Sequence, residues 1–325
     1  YRAGLSVPAG AIQNTFIGHD VAIATITNAA DYNTAVGAFS MTALTSGTQN
    51  TALGLNSLLR LTSGDFNTAV GVASLENVAG TDNNTAVGRQ SGYFTTGAAN
   101  TYIGFRSGFG GSSAATNNNN TGVGYFSLTA ITTGPDNTAL GYNAGAAITT
   151  GGQNTILGAY AGDAMTTMSN CVLIGYNAGT AINNNVANGT TIVGRDAGER
   201  LTNGTKNTVM GYSALTGNHQ GGHNTVIGYE SAKGVTDNAH SFNSAVGYRS
   251  LYAVTSGGSN TVMGYLAGSA LTTGGNNTAL GANALKTSID VQYAVAIGES
   301  AMAGGDVTAA ADGTIAIGFS ALQAL

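Results

Sequence analysis

The chain has 325 residues, of which 42% are hydrophobic and only 8% charged, with 50 glycines, one cysteine and a net charge of -5. Disordered chains are poor in apolar residues and rich in charge, so this composition excludes them, and glycine without a three-residue period excludes collagen. A single cysteine excludes an internal disulfide framework. No apolar run is long enough to insert into a membrane. The sequence has no basic stripe, which argues against nucleic acid as a partner.

A short motif recurs along the whole chain. It reads N-T-A-V-G at 33–37, N-T-A-L-G at 50–54, and N-T-A-V-G again at 67–71 and 84–88. Alignment on the last glycine of the motif gives eighteen copies, and eleven of the seventeen spacings between these anchor glycines are 17 residues. The anchors are Gly18, Gly37, Gly54, Gly71, Gly88, Gly104, Gly124, Gly141, Gly158, Gly175, Gly194, Gly211, Gly228, Gly247, Gly264, Gly281, Gly298 and Gly318. This rhythm predicts a single repeat array over 1–325.

Each copy predicts a short strand followed by turns. The residue before the anchor is Ile, Val, Leu or Met in all eighteen copies, which indicates a core position, and the residue two before is Ala in nine. Asn stands four before the anchor in fourteen copies, and Ser or Ala three after it in seventeen. The β-prone run ends in glycine, and turn signals such as T-T-G at 132–134 follow.

This pattern predicts an all-β fold, a parallel β-solenoid in which each repeat forms one coil. Coils stacked at ~4.8 Å would give a rod roughly 86 Å long. Stacked asparagines satisfy their own side-chain amides along the stack. The repeat therefore identifies as structural anchors Gly37, Gly54, Gly71, Gly88, Asn33, Asn50, Asn67 and Asn84.

The predicted strand is apolar on both faces, because both residues before the anchor glycine are apolar and neighbouring residues point to opposite sides. A strand of that kind is buried on both sides. The coil interior covers one face, and the simplest cover for the other is another copy of the chain, so we expect a homo-oligomer. The alternative is that alanine, being small, is tolerated on a wet surface.

The motifs N-T-A-V-G-x-x-S and V-A-I-G-E-S-A, the latter at 295–301, resemble the head repeats of trimeric autotransporter adhesins and similar repeats in bacteriophage tail fibres. The resemblance covers essentially the whole chain. It implies a left-handed β-roll, three chains packed side by side, and an extracellular location on a bacterial cell surface or a virion tail. The coils here are longer than those of the adhesin heads, so the resemblance does not settle the cross-section.

The position after the anchor glycine is the strongest candidate for a binding surface. An aromatic stripe along a rod can present flat amphipathic faces to a host cell-surface glycan or protein. The alternative, which the sequence favours, is that the rings stabilise the stack and fill an oligomer seam. The tyrosines of this column are Tyr125, Tyr142, Tyr176, Tyr212, Tyr229, Tyr248 and Tyr265.

The longer coils are a further set of candidates, since insertions in solenoids map to loops on one edge, often the binding edge. The extra residues fall in 110–119, 181–189, 234–242 and 303–313. They could equally be neutral bulges.

The sequence offers little catalytic chemistry. His219 and His223 have H-x3-H spacing but lie in a loop, and no carboxylate or cysteine cluster supports a metal site. Cys171 stands in the Asn column, where it is most simply a small buried substitute. We therefore expect no catalytic residue, no metal and no cofactor, and a protein that is not an enzyme.

Two functions fit these observations: a fibre segment that attaches to a cell surface, or a purely structural filament or spacer that provides length and stiffness. Ice binding by the threonine column is a minor third interpretation, disfavoured because that column is expected to share a face with the core column. Both ends of the chain fall inside a coil and lack polar caps, so we expect a segment of a longer fibre.

Overall fold

A computed structural model describes residues 2–4, 7–27, 29–111, 115–183, 187–235, 238–304 and 311–323. The chain is an all-β parallel β-solenoid with one short strand in each repeat, which confirms the predicted fold class. It divides into two compact units, Tyr1–Thr167 and Met168–Leu325, and each unit contains nine copies of the strand. That 1–325 behaves as a single array stays a prediction.

The strands of the first unit are β1 (Thr15–Ile17), β2 (Thr34–Val36), β3 (Thr51–Leu53), β4 (Thr68–Val70), β5 (Thr85–Val87), β6 (Thr101–Ile103), β7 (Thr121–Val123), β8 (Thr138–Leu140) and β9 (Thr155–Leu157). Those of the second unit are β10 (Val172–Ile174), β11 (Thr191–Val193), β12 (Thr208–Met210), β13 (Thr225–Ile227), β14 (Ser244–Val246), β15 (Thr261–Met263), β16 (Thr278–Leu280), β17 (Val295–Ile297) and β18 (Ile315–Ile317).

Consecutive strands within each unit pair in parallel and in register. Between β3 and β4, for example, Thr51 pairs with Thr68 and Leu53 with Val70. Equivalent residues of successive coils therefore lie directly above one another, and every column of the sequence alignment becomes a ladder of like side chains in space.

The two faces of the strand are the reverse of the sequence prediction. The middle residue, often Ala, is buried in every strand except β1, while the residue before the anchor glycine is buried in none. In β3, Ala52 is fully buried and Leu53 is 48% exposed. The predicted core column was wrong because periodicity distinguishes two faces without saying which one points inward. The alternative, that alanine is tolerated on a wet surface, is also wrong, because the alanine column is the one that points into the coil.

The outward face of the strands carries threonine and a large aliphatic residue, two positions apart. This removes the argument against ice binding, because the threonine column does not face the core. Val, Leu, Ile and Met alternate irregularly beside the threonines, however, so the face is a rough apolar stripe rather than a uniform lattice.

The anchor glycines permit adjacent coils to approach closely. Gly71 has φ of +133°, and a Cβ built on it would lie 2.6 Å from the carbonyl oxygen of Gly88 in the next coil. The predicted anchors Gly37, Gly54 and Gly88 share this geometry. Any side chain at this position would force the coils apart, which explains why the column is invariant along the chain.

The asparagine column forms the predicted amide ladder. Asn50 and Asn67, like Asn33 and Asn84, are fully buried. The Asn67 backbone N–H and Nδ2 both donate to Oδ1 of Asn50, at 2.9 and 3.1 Å, and Nδ2 donates also to the carbonyl oxygen of Thr81 at 2.8 Å. Each amide therefore satisfies the backbone of its neighbours, and the prediction is confirmed.

The corners of the coil use left-handed backbone. Residues two and four after the anchor have positive φ in all eighteen copies. The second of these positions faces the core in every copy but the last and is Gly or a larger apolar residue, as in Leu58 (φ 50°) and Gly179 (φ 59°). Glycine supplies the conformation at no steric cost, whereas leucine accepts strain and supplies core volume.

Candidate functional site

The tyrosine column lies at the corner directly after each strand. The positive φ of the anchor glycine turns the chain away from the strand direction and places the next side chain outside the coil. All seven predicted side chains are exposed, from 39% at Tyr248 to 54% at Tyr265. The structure therefore places the predicted residues on the surface, where each ring keeps an accessible edge.

In the second unit the column is a continuous stack. Ring centroids are 5.1 Å apart for Tyr212 and Tyr229, 5.4 Å for Tyr229 and Tyr248, and 5.3 Å for Tyr248 and Tyr265, with interplanar angles of 10–13°. Stacked pairs of this kind each contribute about 0.5–1.5 kcal/mol beyond their buried area.

Tyr176 joins the same stack through a cation. Arg195 occupies the column between Tyr176 and Tyr212, and its guanidinium carbon lies 5.7 Å and 5.8 Å from the two ring centroids. Arg195 Nε is 3.2 Å from Oδ2 of Asp196, so its charge is balanced by a carboxylate.

The first unit contains a shorter stack. Phe105 and Tyr125 are 5.1 Å apart, and Tyr125 and Tyr142 are 5.4 Å apart and almost parallel. Arg89 precedes them in the column, with its guanidinium carbon 5.8 Å from the Phe105 centroid. The ring stack ends after Tyr142, since Ala159 occupies the next position.

Sequence reasoning missed a second group of residues at the same corner. The segments F-R-S-G-F at 105–109 and Y-R-S-L-Y at 248–252 share an aromatic–Arg–Ser–x–aromatic pattern. In both, the arginine lies across two rings. Arg106 is 5.5 Å from the Phe105 centroid and 4.7 Å from that of Phe109. Comparing the residues two and five positions after the anchor glycine, and not only the residue directly after it, would have revealed this pattern.

Arg249, the arginine of the second corner, lies 5.4 Å and 5.0 Å from the Tyr248 and Tyr252 centroids. It belongs to an ion-pair cluster centred on Glu230, whose carboxylate accepts 2.6 Å hydrogen bonds from Arg249 Nε and from Lys233 Nζ. Burial raises the pKa of Glu230, but these hydrogen bonds outweigh it and hold that pKa below its usual value. The carboxylate therefore stays charged.

The histidine pair singled out by its spacing is not part of a larger ligand set. His223 is exposed and stacks on Phe242, with centroids 5.1 Å apart. Within the described ranges, no group of three His, Cys, Asp or Glu side chains is placed to hold a metal ion.

Cys171 is buried in the asparagine column, as predicted. Burial raises the pKa of its thiol, and Sγ lies 3.6 Å from the carbonyl oxygen of Ala187. A thiol in this setting is a weak nucleophile and a small space-filling group.

The four insertions fall partly outside the described residues, which omit 112–114, 184–186, 236–237 and 305–310. The described part of 234–242 contains His240, which is fully buried. That insertion therefore contributes a polar side chain to the interior as well as a loop to the surface.

No protein-family model matches the chain, and no curated protein is significantly similar to it. Over the part of the chain that the structure describes, no helix is both long enough and apolar enough to cross a membrane.

Proposed function

We propose that the chain is a segment of an extracellular fibre that attaches to a cell surface, in the manner of an adhesin head or a phage tail fibre. The observation that supports this most is the stack of exposed rings from Tyr212 to Tyr265, held by a scaffold whose backbone is fixed coil by coil. Rigid, exposed aromatic side chains contribute binding surface at a low cost in side-chain entropy.

Attachment can be tested with fluorescent beads coated with the whole chain and presented to bacterial and epithelial cells. Replacing Tyr212, Tyr229, Tyr248 and Tyr265 with serine should reduce bead binding about tenfold or more, because several aromatic anchors are lost together. Tyr293→Ser is the matched control, since Tyr293 is a 61% exposed tyrosine outside the column. Unchanged bead binding by the fourfold variant would contradict the proposal.

The fibre is proposed to be a homotrimer, packed through the outward face of its strands. This face repeats a large exposed aliphatic side chain in successive coils of each unit; Leu53, Leu140 and Met210 are 45–49% exposed. Soluble monomers rarely expose contiguous apolar patches of more than a few hundred Å². The resemblance to the head repeats of trimeric autotransporter adhesins is the basis for proposing three chains packed side by side.

Sedimentation velocity tests the self-association. Leu53→Glu and Leu140→Glu together should lower the sedimenting mass to that of a monomer, because they place charge in an apolar interface. Leu55→Glu is the control: Leu55 is 44% exposed but lies past the anchor glycine, off the strand face. A wild-type chain that sediments as a monomer would remove this part of the proposal.

A structural spacer is the second candidate, and the ladders themselves favour it. The rings stack on each other within 13° of parallel in the second unit, and the asparagines bond along the column, so both ladders stiffen the coil stack without any ligand. A chain that forms the oligomer but binds no cell in the bead assay would support the spacer.

A further inference from the structure

The two aromatic–Arg–Ser–x–aromatic corners differ in the residue to which the arginine Nε donates. In the second corner, Arg249 Nε donates to the carboxylate of Glu230 in the coil before, at 2.6 Å. In the first corner the equivalent position is Gln90, and Arg106 Nε donates to its amide oxygen at 2.8 Å. Arg249 is therefore paired with a carboxylate, which it shares with Lys233, whereas Arg106 donates to a neutral amide.

A second uncompensated cation lies beside the first corner. Arg89 is exposed and lies 5.8 Å from the Phe105 centroid, so two guanidinium groups flank one ring. Among the described residues, no carboxylate oxygen lies within 4.0 Å of a side-chain nitrogen of Arg89 or Arg106. This is notable in a chain with only 10 lysines and arginines and a net charge of -5.

Aromatic surface surrounds these two cations. Phe109 stacks on Tyr93, with centroids 5.2 Å apart and planes within 8°, and Phe105 stacks on Tyr125. All four rings are partly accessible. The corner thus combines hydrogen-bond donors of fixed positive charge with the exposed edges of aromatic rings, which suits a ligand that carries an anionic group on a ring with an apolar side.

We infer that the corner formed by Arg89, Phe105, Arg106 and Phe109 binds an acidic saccharide. The guanidinium groups would take the carboxylate or sulfate, which they hydrogen-bond in a fork geometry, and the exposed ring edges would contact the C–H groups of the sugar. This inference goes beyond the proposed attachment through the Tyr212–Tyr265 stack, because it adds a separate site in the first unit and names its ligand class. Single-stranded nucleic acid is disfavoured, because two cations on an acidic chain make no basic track for a phosphate backbone.

Isothermal titration of the whole chain with 3′-sialyllactose, 3′-sulfolactose and neutral lactose tests the inference. We expect one site per chain for one or both acidic sugars, and binding of lactose at least about tenfold weaker, corresponding to one lost charge-assisted hydrogen bond. Equal binding of lactose, no binding of either acidic sugar, or tighter binding of an oligothymidylate would overturn it. The first two probes separate the carboxylate from the sulfate.

Two charge exchanges make the test specific. Gln90→Glu copies Glu230, so it should neutralise Arg106 and weaken acidic-sugar binding about tenfold or more while both arginines stay in place. Glu230→Gln copies Gln90 and removes the carboxylate from Arg249, but Tyr229 stands where the first corner has Arg89, so the stoichiometry should stay at one site per chain. No loss with Gln90→Glu would contradict the assignment, and a second site with Glu230→Gln would contradict the requirement for both arginines.

Arg195→Gln is the matched control, since Arg195 also lies on two rings but is paired with Asp196. It should leave the titration unchanged, and an equal loss of binding would overturn the inference. Two readouts separate this inference from the proposed function: a titration without acidic-sugar binding refutes this site alone, whereas a wild-type chain that binds no cell in the bead assay refutes attachment.

Discussion

The backbone N–H and the side-chain Nδ2 of Asn84 both donate to one oxygen, Oδ1 of Asn67, at 3.0 and 3.2 Å. This oxygen accepts the backbone N–H of Asn84, as a carbonyl of a neighbouring strand would do in a regular sheet. It also holds the side-chain amide of Asn84, which is the next in the ladder. Since both asparagines are fully buried, water cannot take over these bonds. The ladder is thus a buried polar network in which each member depends on the one before.

Asn67→Ala should destabilise the chain by roughly 2–4 kcal/mol, because it leaves the buried Asn84 backbone N–H and the partly buried carbonyl of Thr81 without their partner. The measurement is the urea midpoint of unfolding followed by circular dichroism. Thr68→Ala, at the next residue with its side chain outside the coil, should change stability by no more than about 0.5 kcal/mol. Equal losses for the two variants would show that the ladder is not a main source of stability.

Gly71→Ala should prevent native coil stacking, since its Cβ would lie 2.6 Å from the backbone oxygen of Gly88 and no side-chain rotation can relieve that contact. We expect loss of cooperative thermal unfolding or a large fall in the melting temperature. Gly80→Ala is the control: its Cβ would meet only Ser63 Oγ, at 3.1 Å, and its backbone is not left-handed. A soluble, cooperatively folded Gly71→Ala protein would disprove this account of the anchor.

The repeat predicted the ladders but not the orientation of the strand. Asn67 and Gly71 were recognisable because their roles depend on residue type and spacing, both of which the sequence contains. The assignment of Leu53 to the core failed because Ala52 and Leu53 are both apolar, and the choice between them depends on the width of the coil interior. The corner around Arg106 was missed because it joins columns one, two and five, which meet only once the left-handed residues bend the chain.

His240 links stability to pH. It is fully buried, with Nδ1 3.2 Å from Nδ2 of Asn243, and burial lowers its pKa to about 4 from an ordinary 6.5. The unfolded chain therefore binds a proton at a pH where the native chain does not. The stability due to neutral His240 is present above pH 6.5 and is lost as the pH falls towards 4, by an amount of the order of 3 kcal/mol.

Urea unfolding at several pH values measures this loss. His240→Asn should remove most of the decline between pH 6.5 and 4, whatever its effect on stability at neutral pH. His223→Asn, at an exposed position, should keep the full decline. If the His240 variant retained the wild-type slope, another group would have to be responsible.

The core volume of each coil is shared between two positions. Copies with Tyr, Ile or Leu in the middle of the strand have glycine four after the anchor, as in Tyr102 with Gly108 and Ile192 with Gly198, whereas Ala52 is matched with Leu58. The contacts explain the exchange: a Cβ on Gly198 would lie 2.8 Å from Cδ1 of Ile192. Val209 and Leu215 are both fully buried in one coil, so valine and leucine can share the interior, whereas Tyr, Ile and Leu in the strand are matched only with glycine.

A double-mutant cycle at residues 52 and 58 tests this exchange. Ala52→Ile alone should cost about 1–3 kcal/mol by overpacking against Leu58, and Leu58→Gly alone about 2–5 kcal/mol by leaving a cavity. The double variant reproduces the pairing of Ile192 with Gly198, so it should be more stable than the sum of the two losses by about 1–3 kcal/mol. Additive losses in urea unfolding would show that the two positions do not share one space, and the size pattern along the chain would then need another cause.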